Sequence, residues 1–295
     1  MTDKMKELMV RTASGAVLVA VIVGTLYASP AAFAAVAFVI MVCGMWEFYS
    51  LAEAQGAQPM KYIGISLGIA MFCTALKLMS VTEFSFILVA AVPSLLYAMM
   101  AVPAMFVLRL FRPGGNPSAD IGTTLAGAAY VAMPMSLILL LPRMVTGVWN
   151  PTVVLFIILT VFANDVFAYL AGMTANALTG GRTHKMFERI SPKKTWEGFA
   201  GGIAGALAMG LIAAAVLPVN VWGWLGLSVV AAVAAVAGDL VESMFKRAAG
   251  VKDSGRAIPG HGGFLDRFDA LLLAVDAAMI YLIIVYPFFM PPFML

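Results

Sequence analysis

Charged side chains are concentrated in one stretch of this sequence, residues 239–269, which lies between two long apolar runs. A carboxylate inside hydrocarbon is costly unless it is paired, hydrated or bound to a cation, so such residues are candidates for function. The alternative is that these residues flank a solvated loop and reach outward, which suits long Lys and Arg better than short Asp. The stretch contains Asp239, Glu242, Lys246, Arg247, Lys252, Asp253, Arg256, Asp266, Arg267 and Asp269.

Helical spacing divides these carboxylates into two groups. Residues three or four apart share one face of a helix, so Asp266 and Asp269 form one stripe, one turn apart. The other stripe contains Asp239, Glu242, Ser243 and Lys246. Carboxylate oxygens are the hard ligands that Mg²⁺ prefers, and they leave open positions for phosphate oxygens. We predict that Asp239, Asp266 and Asp269 hold Mg²⁺. The sequence does not decide whether a second ion or a monovalent cation binds as well.

The loop between the two stripes is rich in glycine, with residues at 250, 255, 260, 262 and 263. Glycine lets backbone N–H groups approach an anion closely. A glycine-rich loop alone is a weak signal. Combined with carboxylates and cations on membrane helices, it predicts a site for a nucleoside triphosphate with its metal.

Residues 243–269 also resemble the signature of the phosphatidate cytidylyltransferases, or CDP-diacylglycerol synthases. The resemblance implies an all-helical membrane enzyme that converts CTP and phosphatidate into CDP-diacylglycerol and pyrophosphate. It is carried by Ser243, Phe245-Lys246-Arg247, Lys252-Asp253, Gly255, Ile258-Pro259, His261-Gly262-Gly263-Phe264 and Asp266-Arg267-Phe268-Asp269.

In this interpretation five residues are catalytic: Asp239, Asp266 and Asp269 through the metal, and Lys246 and Arg247 through the phosphate groups that they bind. The backbone of Gly262-Gly263 shapes the pocket, and His261 orients a phosphate or the base. Phosphate groups of CTP or of the lipid are bound by Lys193, Lys194, Lys246, Arg247, Lys252 and Arg267.

Composition predicts the fold class independently of any motif. Of the chain's 295 residues 62% are hydrophobic and 11% charged, whereas a soluble domain is about 25% charged. We therefore expect an all-α, polytopic membrane helix bundle. Its net charge of +3 gives no reason to expect nucleic acid. The two cysteines, both in apolar runs, indicate no disulfide framework.

Apolar runs of spanning length, near the ~20 residues that a membrane helix needs, predict about nine spans. A signal peptide is the competing interpretation of the first run, and we favour a retained span because a second run follows at once. We expect two regions: residues 1–150 with about five spans, and a catalytic region, 151–295, with about four. The runs are 12–29, 31–51, 61–79, 84–110, 121–142, 151–176, 197–217, 222–246 and 266–290.

Cationic loops predict the orientation. With the N-terminus in the cytoplasm, the loops that carry Lys61, Arg109 and Arg112, and the basic segments 180–197 and 247–265, are all cytoplasmic. The opposite loops hold little beyond Arg143. The predicted location is therefore the inner cell membrane, with the active site on the cytoplasmic side, where CTP is found.

Run 151–176 and the basic loop after it form a second candidate region. Asp165 lies mid-run beside Asn164 and binds substrate in this interpretation; a helix-to-helix hydrogen bond is the alternative. Ser191 fits a helix N-cap followed by Pro192, which would bring a helix N-terminus and two lysines to one phosphate. For the other basic residues of the loop, Arg182, Lys185 and Arg189, attraction to anionic lipids is the better interpretation.

Three further features have structural explanations. Glu47, within Trp46-Glu47-Phe48-Tyr49, fits an interfacial aromatic belt at headgroup level. The glycines of run 197–217 indicate close helix packing. Asp276 shares a face with Asp269 and is left without a role.

Two other functions remain open from the sequence. A cation- or proton-coupled secondary transporter would use Asp165, Asp239 and Asp269 at broken helices, but the charges cluster in loops on one side instead. A CTP-using enzyme acting on another lipid phosphate is the second. The expected partners are CTP, phosphatidic acid and membrane lipids. The sequence does not decide whether the protein forms a homodimer.

Overall fold

The computed structural model describes residues 3–80 and 84–289. Helices dominate this part of the chain, which confirms the predicted all-α membrane fold. Within the described residues, one two-stranded hairpin is the only sheet.

Six helices and two irregular turns make up the described residues of the first half of the chain. The helices are α1 (Asp3–Ala28), α2 (Pro30–Ala54), α3 (Lys61–Leu78), α4 (Phe84–Leu110), α5 (Pro117–Gly127) and α6 (Met133–Leu137). A π-helical turn, Ala128–Ala132, joins α5 to α6, and a 3₁₀ turn, Leu141–Arg143, follows.

From residue 144 to 289, where the described part ends, the chain forms four long helices, the hairpin and a short turn. Its elements are α7 (Pro151–Leu178), β1 (Lys185–Phe187), β2 (Ser191–Thr195), α8 (Trp196–Val216), α9 (Val221–Ala248), α10 (Leu265–Ile284) and a 3₁₀ turn (Tyr286–Phe289).

Eight segments of the described chain have the length and composition of membrane spans. They match the first eight predicted runs, and α4 is one continuous helix although it contains Pro93 and Pro103. The ninth run forms α10, which carries four charged residues and does not meet the same criterion; residue 290, where that run ends, lies outside the described residues. A ninth span stays a prediction. The eight segments are Met9–Ala28, Pro30–Ala54, Lys61–Leu78, Val89–Leu110, Pro117–Arg143, Pro151–Leu178, Trp196–Val216 and Val221–Ala248.

Three helices of the described chain begin in the same way. Ser29, Asn116 and Asn150 are extended N-caps, each followed by a proline at the first helical position. Each cap side chain accepts a hydrogen bond from a backbone N–H of the first turn, at 3.1 Å for Ser29 and Asn150. This satisfies a donor that the helix itself cannot, and the proline needs none.

The chain forms two compact units, each made of two segments. The first consists of Met1–Leu140 with Phe245–Phe268, and the second of Leu141–Met244 with Asp269–Leu295. The segment Phe245–Phe268, which sequence analysis placed in the catalytic region, therefore groups with the N-terminal helices.

The first unit is built around a buried tyrosine. Tyr49 of α2 is 0% exposed, and its hydroxyl donates to the carbonyl of Thr124 at 2.9 Å. A Cβ atom at Gly64 or Gly127 would lie within 2.6 Å of this ring, so only glycine fits at both positions. Close by in sequence, Arg109 and Asp120 form a buried ion pair at 2.9 Å.

The second unit depends on the packing of α7 against α8. A Cβ at Gly201 would lie 2.1 Å from Ala171 Cβ, and one at Gly202 would lie 2.5 Å from Asn164 Oδ1. Small residues therefore let the two backbones touch, as predicted from the glycines of this run.

The prediction of a helix that begins at Ser191 is wrong. Ser191 lies in β2, and the N-cap of α8 is Thr195, whose Oγ1 accepts from the N–H of Gly198 at 3.1 Å. The sequence offers two possible caps, and Pro192 is compatible with a strand as well as with a helix start. Pairing with β1, which aligns Lys185 with Thr195, selects the later cap.

Candidate active site

Three carboxylates meet in the second unit. Asp239 and Glu242 of α9 and Asp269 of α10 each offer one oxygen, and these oxygens lie within 4.8 Å of one another. Glu242 is 0% exposed, whereas both aspartates are partly exposed. Three carboxylate oxygens, two of them on partly exposed side chains, fit the preference of Mg²⁺ for oxygen ligands.

The local sequence explains why these side chains converge. Asp239 and Glu242 are three residues apart and share a face of α9. A Cβ at Gly238 would lie only 2.4 Å from the carbonyl oxygen of Asp269, so glycine there allows α9 to approach α10 beside the acidic cluster. The predicted pairing of Asp239 with Asp269 agrees with this arrangement.

The hairpin contributes a cation to the cluster. Lys194 of β2 extends its Nζ to 2.6 Å from Asp239 Oδ2 and 3.3 Å from the carbonyl of Val236. Lys193 is exposed, because successive side chains of a strand point to opposite faces. The two lysines, which sequence analysis treated as a pair, therefore have different environments.

Asp165 belongs to the same surroundings. It interacts electrostatically with both Asp239 and Lys194. Its neighbour Asn164 is fully buried and donates from Nδ2 to Asp165 Oδ1 at 3.3 Å. The candidate residues of α7, β2, α9 and α10 thus contribute to one polar region of this unit.

Asp266 has a different environment, in the first unit. Its Oδ1 accepts from Lys246 Nζ at 2.7 Å. Its Oδ2 accepts from the backbone N–H groups of Ser254 and Gly263, both at 2.8 Å, and from Ser254 Oγ at 2.9 Å. Four donors therefore already surround this carboxylate, and its predicted role as a metal ligand stays a prediction.

The glycine-rich turn is held by protein carboxylates. Gly262 has a φ of +83°, which glycine adopts without strain, and Gly263 donates its N–H to Asp266. The next two N–H groups, of Phe264 and Leu265, donate to Glu47 at 3.0 and 2.8 Å. The N–H of Gly263, one of the glycine donors that were predicted to approach a phosphate, is therefore used inside the protein.

The expectation that the Glu47 side chain reaches out to headgroup level is wrong, because that side chain is buried within the protein. Glu47 is 8% exposed, and its carboxylate is enclosed by the turn that precedes α10. The sequence placed Glu47 correctly among aromatic residues, but nothing local could reveal a partner more than two hundred residues away.

The remaining cations of the predicted site are exposed. Arg247 donates to the carbonyl of Val251 at 3.4 Å, and Arg267 donates to the carbonyl of His261 at 2.9 Å. Lys252 is exposed as well. These side chains are therefore available to bind phosphate groups.

His261 contacts the first helix. Its Nδ1 lies 2.7 Å from Ser14 Oγ, and that hydroxyl also lies 3.0 Å from the carbonyl oxygen of Pro259. The sequence did not predict this contact between α1 and the loop.

Glu242 was not predicted to be a metal ligand. Its spacing of three residues from Asp239 was the signal that could have identified it.

These features define a class of protein: a polytopic helical membrane protein with a carboxylate cluster of the metal-binding kind and cations suited to phosphate. The profile of the cytidylyltransferase family matches residues 9–285. The chain belongs to this family, and it is an enzyme of the cytidylyl-transferring type.

Individual relatives agree with this assignment. A protein of Synechocystis sp. named phosphatidate cytidylyltransferase is 32% identical over 280 residues, which cover 86% of this chain and 89% of that protein. Proteins of the same name from Brucella abortus and Mycobacterium bovis are 43% and 38% identical over 44% and 57% of this chain. Those two alignments cover about half of each relative, 46% and 52%.

Proposed function

We propose that this protein is a CTP:phosphatidate cytidylyltransferase. It transfers CMP from CTP to phosphatidic acid and releases CDP-diacylglycerol and pyrophosphate. The observation that carries this proposal is the cluster of Asp239, Glu242 and Asp269, with Lys194 against it, in a chain of the cytidylyltransferase family.

The reaction requires positioning and charge stabilisation more than covalent participation by the protein. An oxygen of the lipid phosphate attacks the α-phosphorus of CTP, the bond from that phosphorus to the bridging oxygen breaks, and pyrophosphate leaves with the electron pair. No Ser, Cys or His nucleophile is needed, and the lipid phosphate is already ionised at neutral pH. His261 accordingly is not assigned as a general base.

Asp239, Glu242 and Asp269 would hold Mg²⁺, and Asp266 keeps its predicted place as a further ligand. When bound, the ion supplies positive charge that neutralises the triphosphate. Lys194 holds Asp239 in position, and Asp165, which interacts electrostatically with both, keeps its proposed place in substrate binding.

Phosphate binding is assigned to the exposed cations. Arg247, Lys252 and Arg267 lie in or beside the loop between α9 and α10, and Lys193 is exposed on the hairpin. Lys246 instead neutralises Asp266, at 2.7 Å, and orients it. Ser191 lies in a strand two residues before Lys193, so the two side chains share a face of β2, and Ser191 keeps its proposed place in substrate binding.

We further propose that the enzyme lies in the inner cell membrane with these loops on the cytoplasmic side. The basic residues of segments 180–197 and 247–265 support this orientation through the positive-inside rule. No observation favours a transporter.

The test is incubation of the purified protein with CTP labelled in its α-phosphate and with phosphatidic acid, with and without EDTA. Label should enter the lipid phase only when Mg²⁺ is present, and excess Mg²⁺ should restore the reaction after EDTA. Parallel reactions with a polyprenyl phosphate and with an ether-lipid phosphate decide the lipid class. Absence of lipid-soluble label with phosphatidic acid, at any Mg²⁺ concentration, would overturn the proposal.

A further inference from the structure

Glu47 connects α2 to the loop between α9 and α10, residues 249–264, which we call the signature loop. Resting on the proposed function, we propose that Glu47 is a positioning residue for cytidylyl transfer. It fills, from inside the protein, the anion site that the glycine turn forms, and it thereby fixes the signature loop and the cations that the loop carries.

Hydrogen bonds to Glu47 enclose its carboxylate. Oε1 accepts from the N–H of Phe264 at 3.0 Å, and Oε2 accepts from the N–H of Leu265 at 2.8 Å and from Ser254 Oγ at 3.1 Å. The first two donors lie at the start of α10, where the helix dipole favours a negative charge. A buried anion with three such donors is a fixed part of the structure.

The glycines of the loop fit around this carboxylate. A Cβ at Gly255 would lie 2.5 Å from Glu47 Oε1, and one at Gly263 would lie 2.3 Å from Oε2. Both distances are too short for any side chain. The glycines at these positions therefore make room for Glu47, which leaves the exposed cations as the phosphate-binding groups of the loop.

Glu47 and Asp266 share one donor. The hydroxyl of Ser254 lies 3.1 Å from Glu47 Oε2 and 2.9 Å from Asp266 Oδ2. A hydroxyl has a single proton, so it donates to one carboxylate at a time, while Lys246 supplies a compensating charge to Asp266. This network ties α2, the signature loop and the first turn of α10 together within one unit of the fold.

A fixed loop is needed to position its cations, because these side chains are exposed and few protein contacts hold them. Lys252 and Arg256 flank the buried Ser254 by two residues on either side. With Ser254 held, both cations project from a rigid turn. Without Glu47 the turn loses its central anion, and the loop becomes mobile while the helices remain packed.

The experiment compares Glu47→Gln with Glu53→Gln, an exposed glutamate of the same helix that pairs with Lys61. Limited trypsin digestion of the full-length protein in detergent measures cleavage after Lys252 and Arg256. Hairpin cleavage after Arg182, Lys185 and Arg189, all exposed, serves as an internal control. Glu47→Gln should speed loop cleavage about tenfold or more, because loss of a charged buried acceptor raises the open population. Hairpin cleavage should not change.

Kinetics supply the second readout. Glu47→Gln should lower kcat/KM for CTP about tenfold or more, as is typical when a group that orients a site is removed, while Glu53→Gln stays within about twofold. If the wild-type protein transfers no cytidylyl group, the proposed function fails, and a positioning role in that reaction fails with it. The digestion would still decide whether Glu47 orders the loop.

Three results would overturn the inference. The first is unchanged loop cleavage in Glu47→Gln, and the second is equal acceleration of loop and hairpin cleavage, which indicates general destabilisation. The third is wild-type kcat/KM for CTP in a variant whose loop is cleaved faster. If Glu47→Gln does not fold, Ser254→Ala decides, because it removes one donor and no charge; it should give the same selective loop cleavage at a smaller magnitude.

Discussion

The acidic side chains around the signature loop and the metal cluster occupy two different environments. Asp239, Glu242 and Asp269 bring their oxygens together, an arrangement that repels itself unless a cation is present. Glu47 and Asp266 instead receive backbone and side-chain donors. The first group has the arrangement of a metal site, and the hydrogen bonds of the second group hold the loop.

Replacing Glu242 with Gln tests the metal-binding group. The amide keeps the size of the side chain but loses the charge, so the Mg²⁺ concentration for half-maximal activity should rise about 10–100-fold. Asp269→Asn should shift it in the same direction. The measurement is the initial rate of lipid labelling against free Mg²⁺. Glu53→Gln is the control, and a Glu242→Gln curve that coincides with wild type would remove Glu242 from the site.

The two neighbouring lysines of β2 should contribute differently to catalysis. Lys194→Ala should lower kcat/KM about tenfold or more, because Asp239 loses the cation 2.6 Å away. Lys193→Ala should instead raise the KM of the substrate whose phosphate it binds and change kcat little, as expected when a group that binds substrate and transition state equally is removed. Steady-state rates with CTP and lipid varied separately make the comparison. Equal effects of the two changes would contradict the structure.

At the scale of elements, glycine allows helices to approach closely at the places where the candidate residues lie. Gly238 lets α9 approach α10 at the acidic cluster, and Gly202 lets α8 touch α7 beside Asn164. Helices in lipid gain little from the hydrophobic effect between themselves, so close packing of small residues holds them together.

Gly202→Val tests this packing. The new side chain would meet Asn164 atoms at 2.5 and 2.9 Å and should destabilise the protein by about 1–3 kcal/mol, the usual cost of overpacking. Ala204→Val, at an exposed position of the same helix, is the matched control. Thermal unfolding in detergent should show a lower Tm for Gly202→Val only. An unaltered Tm would mean that α7 and α8 separate more easily than the structure indicates.

At the scale of the whole molecule, eight segments of the described chain can span a membrane, and the cationic loops predict their orientation. The basic hairpin between α7 and α8 should face the cytoplasm. The uncharged turn between α8 and α9, which contains Pro218, should face the opposite side.

Single cysteines at these two places test the orientation. In a variant without Cys43 and Cys73, Lys185→Cys should react with a membrane-impermeant maleimide in inside-out vesicles and not in intact spheroplasts, and Pro218→Cys should show the reverse. Both positions are exposed, so access depends only on the membrane. The opposite labelling pattern would place the loops outside and refute the cytoplasmic site.

Features that depend on local spacing could be predicted from the amino-acid sequence. Apolar runs located the helices because a span needs a fixed length of apolar residues, and the three-residue spacing in α9 placed Asp239 and Glu242 on one face. The glycines of α8 likewise indicated its close packing. Each of these patterns involves residues within one helix, so no knowledge of the tertiary structure is needed to recognise it.

Tertiary structure alone decided which distant groups meet. The contact of Glu47 with Leu265 joins residues 218 positions apart, and no local pattern encodes such a pairing. Because β1 pairs with β2, the N-cap of α8 is Thr195 and not the predicted Ser191. The same strand places Lys194, but not Lys193, in contact with Asp239. The backbone donors of the glycine turn were visible in the sequence. Their acceptors were not, because a hydrogen-bond partner is set by the packing of helices rather than by spacing along the chain.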